Sequence, residues 1–531
     1  MNERTQSEAV AIVESELKSP HPASKESLKE PGQKASYGQI LKSSSMIGGA
    51  QAFNLVIGIV RTKVVAVLLG PSGVGLVGLY VSSIGLVGTL TNLGISNSGV
   101  REIAEAAGSG DPARIGRTVH VLRRLCWVTG LLGTLLTAIL AWPLSKMTFN
   151  SPDFAWPTAI LGMTLLLGSI SGGQTALMQG VRRIRDLVWL QILSALAGTV
   201  VSIGLYAWLR QRGIVPVLLI TAALNLGVSW CFARRILLPS AAISWRETFA
   251  EARGLLSLGL AFTVSGVALA GVALATRALI QRGFGSEANG FYQAAWNISG
   301  VFAGFILSAM GTDFYPRLTA SAHDNAQITR LVNEQTEVGV LLALPGLLGT
   351  LVFCPWIIHI LYSAKFTAAA SLLPWFVVGI FGRVVSWPLA YIQLAKGASS
   401  WFAATEVIFA LISIGLVWVG LQFLGLKGVA VAFAMQYGFY ILGMLWVAHK
   451  LCAFRWSQAV VKLLVVTSLV IASTFVLTMF APEWLAIIVG TVICVGAGFL
   501  SMRQICRRLG PEHRLSKMWL RFASFGVNPT A

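Results

Sequence analysis

Apolar residues fall along the chain in successive runs of roughly 20, long enough for a helix to cross about 30 Å of hydrocarbon, and each run is bounded by charged or turn residues. Reading run by run predicts fourteen membrane-spanning helices. The first seven are Leu41 to Leu69, Val74 to Ser96, Leu125 to Leu144, Thr158 to Met178, Leu187 to Leu209, Ile214 to Ala233 and Leu255 to Ile280. The second seven are Phe291 to Met310, Val338 to Leu361, Leu372 to Ala395, Phe402 to Leu424, Val429 to Ala448, Leu463 to Phe480 and Trp484 to Met502. The expected fold class is all-α and polytopic, and an even number of spans puts both tails on one side.

Composition narrows the function classes. Of 531 residues, 55% are apolar and 11% charged, against about a quarter charged in soluble domains, which excludes a soluble globular enzyme. The net charge of +19, from 40 Lys+Arg against 21 Asp+Glu, would suggest nucleic acid in a soluble protein. Its placement gives a different reason. Thirty basic residues lie on the tail side of the fourteen spans, nine lie on the other, and Arg383 alone sits mid-span. Short loops retained in the cytoplasm are positive, so both termini are expected there and no nucleic-acid partner is required. Residues 1–36 are rich in Ser, Pro, Lys and Glu, lack the apolar stretch of a signal peptide, and read as a disordered cytoplasmic tail. The six cysteines (126, 231, 354, 452, 494 and 506) form no CxxC and read as buried apolar residues.

An internal repeat organises the middle of the chain. A shift of 215 lays Gly70-Pro-Ser-Gly-Val-Gly75 over Gly285-Ser-Glu-Ala-Asn-Gly290, and a second match, at 217, pairs Gln179-Gly180 with Lys396-Gly397. Six spans separate the copies, so the repeat is expected to be parallel. The predicted divisions are a tail at 1–36, an N-lobe at 37–240, a C-lobe at 241–452, two extra spans at 453–502 and a basic cytoplasmic tail at 503–531.

No enzyme or metal motif is present, which leaves no catalytic residue, no metal site and no cofactor to assign. Charges at membrane depth are the sharper signal, because each costs about 2.5 to 3.5 kcal/mol to insert and usually faces a cavity or a partner. Arg383 is the deepest cation. Arg61 and Lys63 lie late in the first span, and Arg277 lies late in the seventh, one position off the repeat equivalent of Arg61. These cations suit a diphosphate; snorkelling to headgroups is the alternative for all but Arg383. Asn92, Ser96 and Asn97, with Tyr292, Gln293, Trp296 and Asn297, offer hydrogen bonds and stacking to sugars, or equally interhelical hydrogen bonds. Asp313, Glu337 and Glu406 are candidates for ion coupling, with a solvated or Arg-paired carboxylate as the plainer reading.

The stretch Val64-Val-Ala-Val-Leu-Leu-Gly-Pro-Ser-Gly-Val-Gly-Leu-Val-Gly-Leu79, followed by Leu93-Gly-Ile-Ser-Asn-Ser-Gly-Val-Arg-Glu-Ile-Ala104, resembles the first two spans of Wzx-type O-antigen translocases in the multidrug/oligosaccharidyl-lipid/polysaccharide (MOP) flippase superfamily. The resemblance implies two six-helix lobes around a central cationic cavity in a bacterial inner membrane. It implies flipping of an undecaprenyl-diphosphate-linked oligosaccharide, an O-antigen or exopolysaccharide repeat unit, from the cytoplasmic to the periplasmic leaflet by alternating access. Arg61, Asn97, Arg277 and Trp296 would then line the cavity. Membrane lipids would be further partners, along with polysaccharide polymerase and chain-length machinery. The two extra spans resemble MurJ-type lipid II flippases instead. A drug or cation exporter and a non-transporting scaffold for glycan assembly complete the alternatives.

Overall fold

The computed structural model describes residues 33–109, 111–236, 238–239, 243–509 and 517. Most of the expected leader and much of the basic tail lie outside these residues. Every regular element among them is helical: α1 (Gln33–Asn92), α2 (Ile95–Gly108), α3 (Pro112–Phe149), α4 (Ala155–Leu161), α5 (Met163–Gly180), α6 (Ile184–Leu209), α7 (Ile214–Ala233), α8 (Trp245–Ala320), α9 (Asn325–Val352), α10 (Cys354–Leu361), α11 (Leu373–Ala395), α12 (Ser399–Leu424), α13 (Lys427–Cys452), α14 (Gln458–Phe480) and α15 (Glu483–Leu509), with short 3-10 turns between some of them.

Eleven stretches among the described residues are long and apolar enough to cross a membrane. Three of them, at 39, 40 and 50 residues, contain a break between two lengths that can each cross. A straight helix over the 40 residues Phe53–Asn92 would run about 60 Å, twice the hydrocarbon thickness. It is broken at Gly70 (φ 66°, ψ −176°). The stretch Thr263–Val301 is broken at Gly285 (φ 79°, ψ −175°), and Ile184–Ala233 is divided by a 3-10 turn over Arg210–Gly213. Counting the halves of these three separately turns eleven into the fourteen expected.

The backbone also sets the register of the repeat. Gly70 and Gly285 share a conformation, and so do Arg182 (φ 58°) and Gly397 (φ 65°), and Arg210 (φ 52°, ψ −132°) and Gly425 (φ 59°, ψ −144°). All three pairs are 215 apart. At the second pair even the hydrogen bonds correspond. Arg183 N donates to Met178 O at 2.9 Å and Arg182 N to Gln179 O at 3.0 Å; Ala398 N donates to Gln393 O at 2.9 Å and Gly397 N to Leu394 O at 3.1 Å. This is the Schellman closure of a helix C-terminus, which needs a left-handed residue just past the end. The offset of 217 expected from Gly180 and Gly397 is therefore corrected to 215, with Arg182 standing where the second copy has Gly397.

By packing, the chain divides at Arg282/Gly283, beside the Gly285 break. In unit 1, Leu79, Tyr80, Leu161, Tyr206 and Val217 share one buried cluster, and Leu274 of α8 packs with Val87 and Leu144. The first half of α8 thus belongs here. Its start is fixed by a capping box, Ser244 N donating to Glu247 Oε2 at 2.8 Å and Glu247 N to Ser244 Oγ at 3.2 Å. It is tied to α3 by Arg117–Glu251 at 2.6 Å and by Arg124, which donates to Thr248 Oγ1 at 2.8 Å and lies 4.7 Å from the Trp245 ring centroid.

In unit 2, α11, α12 and α13 pack closely. A side chain at Gly428 would run into the Gly420 carbonyl, so the α12–α13 hairpin requires glycine there. The two extra spans, α14 and α15, lie against α9. Asn333 holds the start of α14 by accepting from Ser457 N at 2.8 Å, and Cys494 Sγ reaches Pro345 O at 3.4 Å.

Candidate functional site

Unit 1 carries two polar cavities built from serine, threonine, glycine and asparagine. One, of about 350 Å³, is lined by Thr89, Thr91, Asn92, Thr129, Thr164, Ser169 and Thr263. The other, of about 240 Å³, is lined by Ser96, Ser171, Thr175, Gln179 and Asn225. Gly168 of α5 borders both. Asn92 and Ser96 therefore sit where a polar ligand can reach them. Asn225 also serves packing, donating to Ser171 Oγ at 2.9 Å while its Oδ1 accepts from Ser194 at 3.1 Å, and Ser229 donates to Gln174 nearby. Such bonds hold apolar helices together where water does not compete.

The repeat maps this neutral site onto a charged one in unit 2. Adding 215 to Gly168, Gln191 and Asn225 gives Arg383, Glu406 and Tyr440. Tyr440 donates to Glu406 Oε1 at 3.4 Å, and Gly382, the residue before Arg383, packs so closely on α13 that a Cβ there would lie 2.8 Å from the Tyr437 Cβ. None of the ion pairs among the described residues includes Arg383. Arg383 on α11, Glu406 on α12 and Tyr437 and Tyr440 on α13 thus form one intramembrane cluster. A cation, an acid and two phenols there can bind an anion and hold a coupling ion.

An aromatic chain leads away from the cluster. Tyr437 packs on Phe433 at 5.0 Å between ring centroids, Phe433 on Trp296 at 5.1 Å, and Trp296 on Tyr292 at 6.2 Å. Trp296 is half-buried among these rings, with Phe376 at 5.7 Å. Asn297 is exposed, accepting from Gln293 at 2.8 Å and donating to Tyr362 Oη at 3.4 Å.

The remaining expected residues are distributed as follows. Arg61 and Lys63 are half-buried, while Arg277 is buried at 9% exposure, with Nη1 donating to Ala273 O at 3.0 Å. With the register fixed at 215, Arg61 corresponds to Thr276 and Arg277 to Thr62. One helical step turns a side chain by about 100°, so these cations project from different faces of their helices. Glu337 has both oxygens engaged. Oε1 accepts from Arg508 Nε at 3.0 Å and from Gln504 at 3.2 Å, and Oε2 from Arg508 Nη2 at 2.9 Å. The side chains of Asn97 and Asp313 lie outside the described residues.

Sequence reading had not singled out Tyr437, Tyr440 or the hydroxyls around Gly168. The repeat register finds Tyr440 and those hydroxyls, since it equates Gly168 with Arg383 and Asn225 with Tyr440, whereas Tyr437 corresponds to Ala222 and is found only from packing.

The Lipid III flippase of Escherichia coli (strain K12) is 23% identical over 411 residues, covering 76% of this chain and 96% of that protein. The inward closed structure of the lipid II flippase MurJ superposes with a TM-score of 0.64 at 13% identity, over 87% of this chain and 99% of MurJ. An inward-facing multidrug resistance MATE family transporter of the MOP superfamily gives 0.62 at 16% identity, over 75% of this chain and 95% of that one. The fold is that of the MOP superfamily, as the first spans suggested. The sequence profile of the polysaccharide biosynthesis protein family matches residues 40–321, more than half of the chain, and this multi-pass membrane protein belongs to that family.

Proposed function

We propose that the protein is a transporter and not an enzyme: a flippase that moves an undecaprenyl-diphosphate-linked oligosaccharide, an O-antigen or exopolysaccharide repeat unit, from the cytoplasmic to the periplasmic leaflet of a bacterial inner membrane. The observation that carries this reading is Arg383, mid-span, outside every ion pair among the described residues, and next to Gly382, which packs on Tyr437 of the helix that makes the Glu406–Tyr440 hydrogen bond. A guanidinium kept at membrane depth without an acid clasping it is costly, and an anionic cargo repays that cost. Family membership and the Lipid III flippase relative support the same reading. Alternating access would expose Arg383 to the diphosphate, with Arg61, Lys63 and Arg277 as the cations of unit 1 that the cargo passes. Asn92, Ser96, Asn97 and Trp296 would meet the glycan. Both termini face the cytoplasm in this reading, where polymerase and chain-length proteins can be engaged.

A lipid II cargo is the second reading. It is favoured by α14 and α15 and by the 87% of this chain that MurJ covers.

The test is delivery of polyprenyl-diphosphate-linked glycans to the outer leaflet of proteoliposomes by wild type and Arg383→Ala, with membrane insertion measured in parallel. Loss of delivery with normal insertion is expected. Undiminished delivery by Arg383→Ala sinks the role of the cation, no delivery of any donor by wild type sinks the flippase, and delivery of lipid II alone selects the second reading.

A further inference from the structure

A third cavity of unit 1 is larger than either of the polar ones. It is a groove of about 960 Å³ between α3, α5 and α7, near the upper end of the roughly 300–1,000 Å³ of small-molecule pockets. Its walls are apolar, with Trp127, Ile170, Leu226 and Trp230 among them, and among the described residues no acidic side chain lines it. Trp127 and Trp230 are 50% and 53% exposed, so the groove is open along its side. The polar cavity that holds Ser96 takes Ser171, Gly172 and Thr175 of α5, whereas the groove takes Leu166, Ile170 and Gly173 from the same helix.

Two cations, Arg123 and Arg234, complete the lining. Both lie in segments that the charge count assigns to the cytoplasm. Their neighbours are committed elsewhere, Arg114 to Glu105 at 3.1 Å, Arg117 to Glu251 at 2.6 Å and Arg124 to Thr248 at 2.8 Å. Among the described residues neither Arg123 nor Arg234 enters an ion pair, and Arg234 lies 5.0 Å from the Trp230 ring centroid, at the groove wall.

An apolar channel the size of lipid chains, ending in two uncompensated guanidiniums at the level of the cytoplasmic headgroups, is complementary to one kind of molecule. We propose that this groove binds an anionic diacyl phospholipid of the cytoplasmic leaflet, its phosphate between Arg123 and Arg234 and its chains along Trp127, Ile170, Leu226 and Trp230. Basic pockets between membrane helices recognise anionic headgroups in this way. The site is independent of the cargo the protein carries.

The test uses the full chain in detergent and native mass spectrometry, with phosphatidylglycerol and phosphatidylcholine of identical chains added in turn. Wild type retains phosphatidylglycerol in preference. Arg123→Gln and Arg234→Gln each weaken that retention roughly fivefold, the scale of one headgroup cation, and leave phosphatidylcholine unchanged. Gly227 lines the groove and an added Cβ there meets nothing within 4 Å, so Gly227→Trp, with folding checked by its melting temperature, is expected to occupy the groove and remove the bound lipid. Equal retention of the two lipids by wild type, or unaltered phosphatidylglycerol retention in the double Gln variant, overturns the proposal. Polyprenyl phosphate displacing phosphatidylglycerol from wild type but not binding Gly227→Trp overturns it too, and makes the groove a tail site for cargo.

Discussion

Gly70 and Gly285, 215 positions apart, hold the same backbone conformation, φ 66° and ψ −176° in one and φ 79° and ψ −175° in the other. That region is open essentially to glycine alone. Each glycine divides a helix too long for one crossing, and at Gly70 the following Pro71 restarts the helix from a position where its missing N–H costs nothing. The same device at the same place in both copies is what turns a duplicated sequence into a duplicated fold.

Gly285→Ala therefore introduces backbone strain without a steric clash, since a Cβ there meets nothing within 4 Å. A loss of about 1–3 kcal/mol is expected, read as a lowered melting temperature in detergent. Gly271→Ala is the control, a helical glycine with equally open space, and its stability should hold or rise slightly. Equal melting of the two variants would mean that position 285 tolerates a side chain and does not define the break.

Arg210 occupies the conformation that Gly425 takes in the second copy. Its compensation is one exposed hydrogen bond, Nη1 to Leu68 O at 3.3 Å, which caps a carbonyl just before the Gly70 break. An average hydrogen bond contributes about 0.5–1.5 kcal/mol, less than the roughly 1–3 kcal/mol of strain in such a backbone. Arg210→Gly is expected to raise the melting temperature, whereas Arg210→Ala, which loses the bond and keeps the strain, lowers it. A fall for Arg210→Gly would show that the Leu68 contact outweighs the strain.

The spans and the first repeat match were legible because both rest on chemistry local to the chain: apolar length for crossing, and Gly-Pro for breaking. Pairing Gly180 with Gly397 misled because unit 1 places Arg182, not a glycine, at the left-handed position, so matching by residue type slipped by two. Arg383 was legible from depth alone. Its neighbours were not, because Tyr437 and Tyr440 sit on α13, and the rotation of one helix against another is set by packing rather than by periodicity. The Glu337–Arg508 pair joins residues 171 apart, a distance no local pattern encodes.

If the proposed flippase function holds, Glu406, which shares its cluster with a cation and two phenols, is the group suited to change charge during transport. Glu406→Gln keeps an acceptor for Tyr440 and removes the charge. Flipping driven by an imposed proton or sodium gradient is expected to be lost, while exchange without a gradient continues. An intact gradient response in this variant would remove Glu406 from coupling.

Glu337 reads as an anchor instead. Its side chain is 10% exposed and its oxygens are held by Arg508 and Gln504 of α15, so it ties the last span to α9. Removing one partner leaves a buried carboxylate without its fork. Because Arg508 is itself 62% exposed, Arg508→Ala should cost about 1.5–3 kcal/mol, the range of hydrogen bonds to charged groups, rather than the larger penalty of a fully buried pair. Protease access to the end of α15 should rise with it. Glu337→Gln/Arg508→Gln, which removes both charges, should recover most of the stability and flip at the wild-type rate. Loss of flipping in that double variant with stability restored would return Glu337 to the ion-coupling candidates, since an anchor acts only through the helix it holds.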